Sequence, residues 1–290
     1  MVYARQSLIN WLLFVGIALV WGSSFILMKE GLKALDPFQV ASLRMISAGI
    51  LLLPAGILQF KKIAPGKVGY VFLSGILGSF IPAFLFCIAE TRLSSSFAGF
   101  LNTLTPIFTI MIGMLFFRTR FSASRLPGVF IGFAGMVILF FAQGNAGGFN
   151  LLYSSLIILA TICYALNVNL VSRHLKDTGS LVIVAVAFSL LLFPSLLILY
   201  YTGYFELEIL EKAVLNATSA SAVLGIFGTA GASLLFYVLL KRAGTLFSSM
   251  VTYTIPFVAL FWGVLAGETI SALHIAGLIV ILGGVYIANR

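Results

Sequence analysis

Arg44 stands inside an apolar stretch spanning residues 38–59, about two helical turns from its end. A charge among apolar neighbours is costly and needs a partner or a ligand facing it. Glu90, at the end of the stretch 68–90, lies at comparable depth and is the candidate partner. The pair has two possible roles: a lock between two helices, or a cation that draws a carboxylate-bearing substrate and gates one mouth. Proline inside a helix removes a hydrogen bond and frees the carbonyl four residues earlier. Pro106 would free the carbonyl of Asn102, and Pro256 that of Thr252, so two helix breaks carry polar residues with them. Trp21, Ser23 and Ser24 sit mid-stretch in residues 8–31, and Tyr164, Asn167 and Asn169 sit likewise in 150–172. With Phe84, Tyr253 and Phe257 these residues would edge a cavity suited to amphipathic or aromatic small molecules.

The chemistry on offer is binding and passage, not bond making. Cys87 and Cys163 each lie alone in an apolar run, and His174 and His274 have no nearby metal-ligand partners in sequence. That spacing gives neither a disulfide framework nor a metal site. No phosphate-binding glycine loop with a following Lys is present, so nucleotide hydrolysis is not expected. The reading is not an enzyme, with no cofactor and no metal; the expected partners are a small-molecule substrate and the lipid bilayer.

The elements that position these residues follow from composition. Of 290 residues, 61% are hydrophobic and 9% charged, with mean hydropathy +1.14. A soluble domain carries roughly a quarter charged residues, and a soluble fold with this surface would aggregate. Ten apolar segments stand out, near 8–31, 38–59, 68–90, 95–117, 123–142, 150–172, 180–202, 219–240, 245–266 and 272–289. Each has the roughly 20 residues that cross a hydrocarbon core as a helix. The expected fold is therefore all-α, ten transmembrane helices with almost nothing outside the bilayer. The first segment resembles a signal peptide but runs on without a small-residue cleavage site, so it reads as the first span.

The net charge of +9 belongs to the same picture. Basic residues sit in short loops, not on one face, so nucleic acid is not an expected partner. With a cytoplasmic N-terminus, twelve of the seventeen Lys and Arg residues fall inside, including Lys61, Lys62, Lys67, Arg118, Arg125, Lys176, Lys241 and Arg242. Lys29, Lys33, Arg92 and Lys212 fall outside. The positive-inside rule then predicts N-in and C-in.

The two halves resemble each other. A shift of 150 residues brings Pro106 onto Pro256, Arg92 onto Arg242, Gly75 onto Gly225, Gly78 onto Gly228, Phe86 onto Phe236 and Asn102 onto Thr252. Gly128 and Gly135 match Gly277 and Gly284 after one gap, and Trp21-Gly22 matches Tyr164-Ala165 more weakly. A period of five helices inverts the second copy, giving repeats 1–145 and 146–290 around a central cavity. Secondary transporters place substrate at such an interface near the midplane. The glycines of the fifth and tenth segments permit close helix packing, within each half or in a dimer contact; the expectation is a monomer or weak homodimer.

At this point a family resemblance is visible. Trp21-Gly22-Ser23-Ser24-Phe25, Asp36-Pro37 followed by Arg44, Leu104-Thr105-Pro106-Ile107-Phe108, Tyr253-Thr254-Ile255-Pro256-Phe257 and Gly267-Glu268 occur in order along the whole chain. Together they resemble the EamA-type members of the drug/metabolite transporter superfamily. The resemblance implies two inverted five-helix halves in a bacterial inner membrane, moving amino acids or similar metabolites by export or exchange. One departure is Phe117-Arg118, where the family pattern often has Gly-Glu, so the acidic residue survives only as Glu268. A carrier of nucleotide-sugars or sugar phosphates, or a drug exporter, is the alternative; phosphorylated substrates call for several inward Lys or Arg residues. No titratable group is evident mid-membrane, which favours facilitated diffusion or exchange.

Overall fold

Asp36 ends one helix hairpin and starts the next helix by a capping box. Its Oδ1 accepts from the amides of Phe38 (2.7 Å) and Gln39 (3.0 Å), while Gln39 Oε1 accepts from the Asp36 amide (3.1 Å). Pro37 occupies the first turn, where a missing N–H costs nothing. Such caps, with Ser94 and Asn150 at two other starts, set where each helix begins in the computed structural model, which describes residues 2–119, 121–142, 150–258 and 271–289. The chain is all-helical there, with no strand among the described residues.

In order, the helices are α1 (Val2–Gly31), α2 (Pro37–Phe60), α3 (Val68–Gly75), α4 (Ile81–Glu90), α5 (Ser95–Asn102), α6 (Thr105–Phe117) and α7 (Leu126–Ala142). Then follow α8 (Leu151–His174), α9 (Ser180–Tyr201), α10 (Lys212–Val223), α11 (Ala232–Ser249) and α12 (Ala272–Asn289). Wide π turns, Ile76–Phe80 and Leu224–Gly231, join α3 to α4 and α10 to α11. Seven stretches among the described residues are long and apolar enough to cross a membrane. The last of them, Lys212–Val258, has 47 residues, about twice one crossing. It breaks at Gly244, whose φ of 84° no helix accommodates. Two shorter apolar helices, Ala123–Ile138 and Ala272–Ala288, accompany these seven. The outward faces are apolar: Leu115 and Phe116 are 73% and 75% exposed, a surface that suits lipid.

Residues matched by the sequence shift make matching contacts. The two π turns coincide under it, since Ile76–Phe80 falls inside Leu224–Gly231. Pro106 opens α6 after a turn at Thr103 and Leu104, and Pro256 follows the 3₁₀ turn Met250–Thr254. α2 packs along α9, and α7 along α12. In the second pair the helix backbones touch: a Cβ on Gly128 would lie 2.5 Å from the Gly284 carbonyl, and one on Gly135 would lie 2.9 Å from the Gly277 carbonyl. These glycines thus join helix 126–142 to helix 272–289 across the chain, and not within one half as expected. Gly267 and Glu268, part of the family resemblance, lie outside the described residues.

Tyr253, expected at the cavity edge, lies elsewhere. It is fully buried, with its ring against Gly132 and its hydroxyl donating to the Val129 carbonyl at 3.0 Å. Successive helical residues point about 100–120° apart, so Thr252 can line the cavity while Tyr253 turns away from it. Tyr253→Phe should therefore leave flux in proteoliposomes within about twofold while costing about 1 kcal/mol of stability, as one buried hydrogen bond is worth; thermal unfolding reports the second quantity.

Candidate substrate cavity

Aromatic rings, among them those of Trp21, Tyr164, Phe86 and Phe236, wall one cavity of about 80 Å³. Trp21 of α1 meets Phe236 of α11 at 5.2 Å, and Tyr164 of α8 meets Phe86 of α4 at 6.2 Å. The two pairs are equivalents under the repeat. So are the contacts behind them. A Cβ on Gly228 would fall 2.6 Å from Ser24 Oγ, and one on Gly78 would fall 2.3 Å from Asn167 Nδ2. Glycine at the π turns lets α1 and α8 come close, and the wide turn exposes a carbonyl: Trp21 Nε1 donates to Gly228 at 3.1 Å.

Asn102, Thr105, Ser249 and Thr252 reach the same cavity from the helix breaks around the two prolines. The Asn102 carbonyl that Pro106 leaves free accepts from Thr105 Oγ1 at 2.7 Å, so the break is satisfied internally. Thr252 Oγ1 is turned to the Ser249 carbonyl at 3.0 Å. The Asn102 amide nitrogen has no hydrogen-bond partner among the described residues, although the side chain is buried. It remains available to a ligand. Asn167 and Tyr237 bond each other, with Asn167 Nδ2 donating to the Tyr237 hydroxyl at 3.0 Å. Asn169, by contrast, is spent on the Thr109 and Ala165 carbonyls.

Arg44 is the one charged side chain among the described residues lining this cavity. Its Nε donates to Thr229 Oγ1 at 2.5 Å, on the π turn that packs across α2, where a Cβ on Gly225 would strike the Arg44 carbonyl. The expected ion pair with Glu90 does not form. Among the described residues the ion pairs are Lys33 with Glu30 and Lys67 with Asp177. Glu90 instead accepts from Ser95 Oγ at 3.3 Å. Arg44 is therefore held by one nitrogen, and its hydrogen bonding through the terminal nitrogens is left for a ligand. A guanidinium fork binds a carboxylate through two parallel N–H donors.

The structure thus brings Trp21, Ser24, Arg44, Asn102, Tyr164, Asn167 and Thr252 around one space, with Pro106 and Pro256 at the breaks beside it. Phe84 lies apart, in a second, apolar hollow with Phe38, Phe80 and Tyr201. It is two residues from Phe86, about 200° around a helix, and so faces away. Phe86, Phe236, Thr105 and Tyr237 also line it and were not singled out as site residues. The repeat register already marked the first two, and Thr105 adjoins Pro106; nothing in the apolar run around Tyr237 distinguishes it.

Comparison with known proteins agrees with this arrangement. The model of the EamA-like transporter family matches residues 8–141 and again 151–290. The chain belongs to the EamA-like transporter family. An uncharacterized transporter of Archaeoglobus fulgidus is 27% identical over 97% of this chain and 99% of its own. A probable amino-acid metabolite efflux pump of Salmonella typhimurium is 25% identical over 93% of this chain and 91% of its own. An S-adenosylmethionine/S-adenosylhomocysteine transporter of Chlamydia muridarum is 28% identical over 87% of this chain and 82% of its own. A crystal structure at 19% identity superposes with a TM-score of 0.72, covering 98% of this chain and 96% of that one; the likeness shows a shared fold. As an EamA-like transporter, the protein is a multi-pass membrane protein that moves small molecules.

Proposed function

We propose that the protein is a secondary transporter of amino acids or closely related metabolites in the inner membrane, working by alternating access. The observation that carries this reading is Arg44, the single cation among the described residues of a cavity lined mainly by aromatic rings, amides, hydroxyls and a few aliphatic side chains. One guanidinium matches one carboxylate. A phosphorylated sugar would bring two or more negative charges into a low-dielectric space with one cation to meet them, at a large desolvation cost. Asn102, Asn167 and Ser24 offer hydrogen bonds to the rest of the polar end, while Trp21, Tyr164, Phe86 and Phe236 take an apolar or planar side chain. The rings also accept an ammonium by cation–π attraction. The names of the Salmonella and Chlamydia relatives point to the same class, since both include amino-acid-derived compounds.

The frame of this proposal is ten spans in two inverted halves, 1–145 and 146–290, with both termini cytoplasmic. The length of Lys212–Val258 and the two shorter apolar helices support ten crossings. The excess of Lys and Arg in alternate loops supports the orientation. Pro106, Pro256 and Gly244 are the positions where the halves can flex.

The test is ligand stabilisation of the purified protein. Free amino acids should raise its unfolding temperature, and the matching amino-acid amides, which lack the carboxylate, should not. Equal stabilisation by both would remove Arg44 from the binding site.

A further inference from the structure

Glu90 lies one helical turn beyond Phe86 on α4, past the end of the cavity wall, and is 2% exposed. Its Oε2 accepts from Ser95 Oγ at 3.3 Å, and its Oε1 is buried with no hydrogen-bond partner. A carboxylate oxygen in that condition inside a bilayer is expensive unless a proton or a cation compensates it. The surrounding elements show what is available. From α1, Lys29 reaches over, but its Nζ donates to the backbone carbonyls of Glu90 (3.1 Å) and Leu93 (3.3 Å), not to the carboxyl. From α2 comes Arg44, and from α5 the Ser95 hydroxyl. On α4 itself, Cys87 is turned to the Met28 sulfur at 3.4 Å, and α8 contributes Tyr164 beside Arg44. Lys29 and then Arg44 are the two cations whose fields reach Glu90. Of these, Arg44 faces the cavity.

We propose that Glu90 is the proton-binding site of coupled transport, filled when a substrate carboxylate occupies Arg44. The inference rests on the reading of Arg44 as the carboxylate anchor. A substrate carboxylate at the guanidinium cancels the field that Arg44 exerts on Glu90. Lys29, committed to two carbonyls, does not move in to replace it. A hydronium ion at the outer mouth then gives its proton to Glu90 Oε1 and leaves as water. One O–H bond forms, Arg44 stays protonated, and no other bond changes. Thr91 and Arg92, next along the chain, are exposed, so the proton's path from water is short. Because the two ligands favour each other's binding, the coupling is reciprocal, and one proton travels with each substrate in the same direction.

The experiment uses the purified full-length protein in lightly buffered detergent with a pH-indicator dye, and L-methionine as the probe. At mildly alkaline pH, where the empty site is still charged, the wild type should take up about one proton per bound L-methionine, and Glu90→Gln should show no proton change on binding. In proteoliposomes, a gradient of one pH unit should drive about tenfold accumulation of labelled L-methionine in the wild type, as one coupled proton allows. Glu90→Asp should keep that response and Glu90→Gln should lose it. Proton release, binding without proton change, or a full gradient response in Glu90→Gln would each overturn the coupling and leave Arg44 as the anchor. Failure of L-methionine and all other amino acids to bind would overturn the anchor and the coupling together.

Discussion

Arg44→Gln should lower amino-acid flux in proteoliposomes about 100-fold while the protein still purifies as a folded, monodisperse species. Among the described residues the guanidinium is the only charge lining the cavity, and its one hydrogen bond is to Thr229. Gln can keep a neutral bond to that hydroxyl, so the packing of the π turn on α2 survives. What it cannot do is meet a carboxylate. Losing one partner of a desolvated, hydrogen-bonded charge pair costs about 3 kcal/mol, and each 1.4 kcal/mol is tenfold. Arg44→Lys should recover part of the flux, because it restores the charge without the two-donor fork. Wild-type flux in Arg44→Gln would show that the cation has no part in recognition.

Gly284→Val should abolish recovery of folded protein, the largest stability effect expected of any single change here. A Cβ at that position would lie 2.3 Å from the Gly132 amide nitrogen and 2.6 Å from the Gly128 carbonyl. Both are backbone atoms of a facing helix, so neither can swing aside. Overpacking a tight contact ordinarily costs about 1–3 kcal/mol; with two helix backbones to separate, the upper end or beyond is expected, and it would take the α7–α12 pairing with it. Gly283→Val is the control: no neighbour lies within 4 Å of a Cβ there, so this variant should express and fold as the parent does. Equal recovery of both variants would mean that the helices do not cross through their glycines.

Much of the fold was readable because the bilayer imposes few choices. A crossing needs a set length of apolar helix, so segment positions follow from hydropathy, and Asp36-Pro37 or Ser94 mark starts by capping chemistry. The repeat register located the glycines and prolines that later prove to make equivalent contacts. The cavity was readable in part, from polar residues stranded in apolar helices: Trp21, Ser24, Arg44, Asn102, Tyr164, Asn167 and Thr252. The helix phase was not readable. Phe84 and Phe86 sit on a helix that is apolar all round, so no stripe marks the inner face, and the π turn before it shifts the phase. The same missing phase misplaced Tyr253, which turns away from its neighbour Thr252 towards Val129. The partner of Arg44 was beyond reach for another reason: Thr229 is 185 residues away, on a turn whose extra width leaves no mark in composition. Glu90 was singled out as the partner of Arg44, and only the packing of α1, α2 and α5 around it shows that it is buried without that partner.

The central claim is that a single cavity carries amino-acid-like substrates across by alternating access, and counterflow tests it most directly. Proteoliposomes holding the protein are loaded with millimolar unlabelled L-methionine or another amino acid and diluted into a trace of the labelled compound. The account predicts a transient overshoot of label inside, driven by exchange, that protein-free liposomes do not show. Flux that rises linearly with concentration, with no overshoot for any amino acid tried, would contradict a carrier and indicate an open pore.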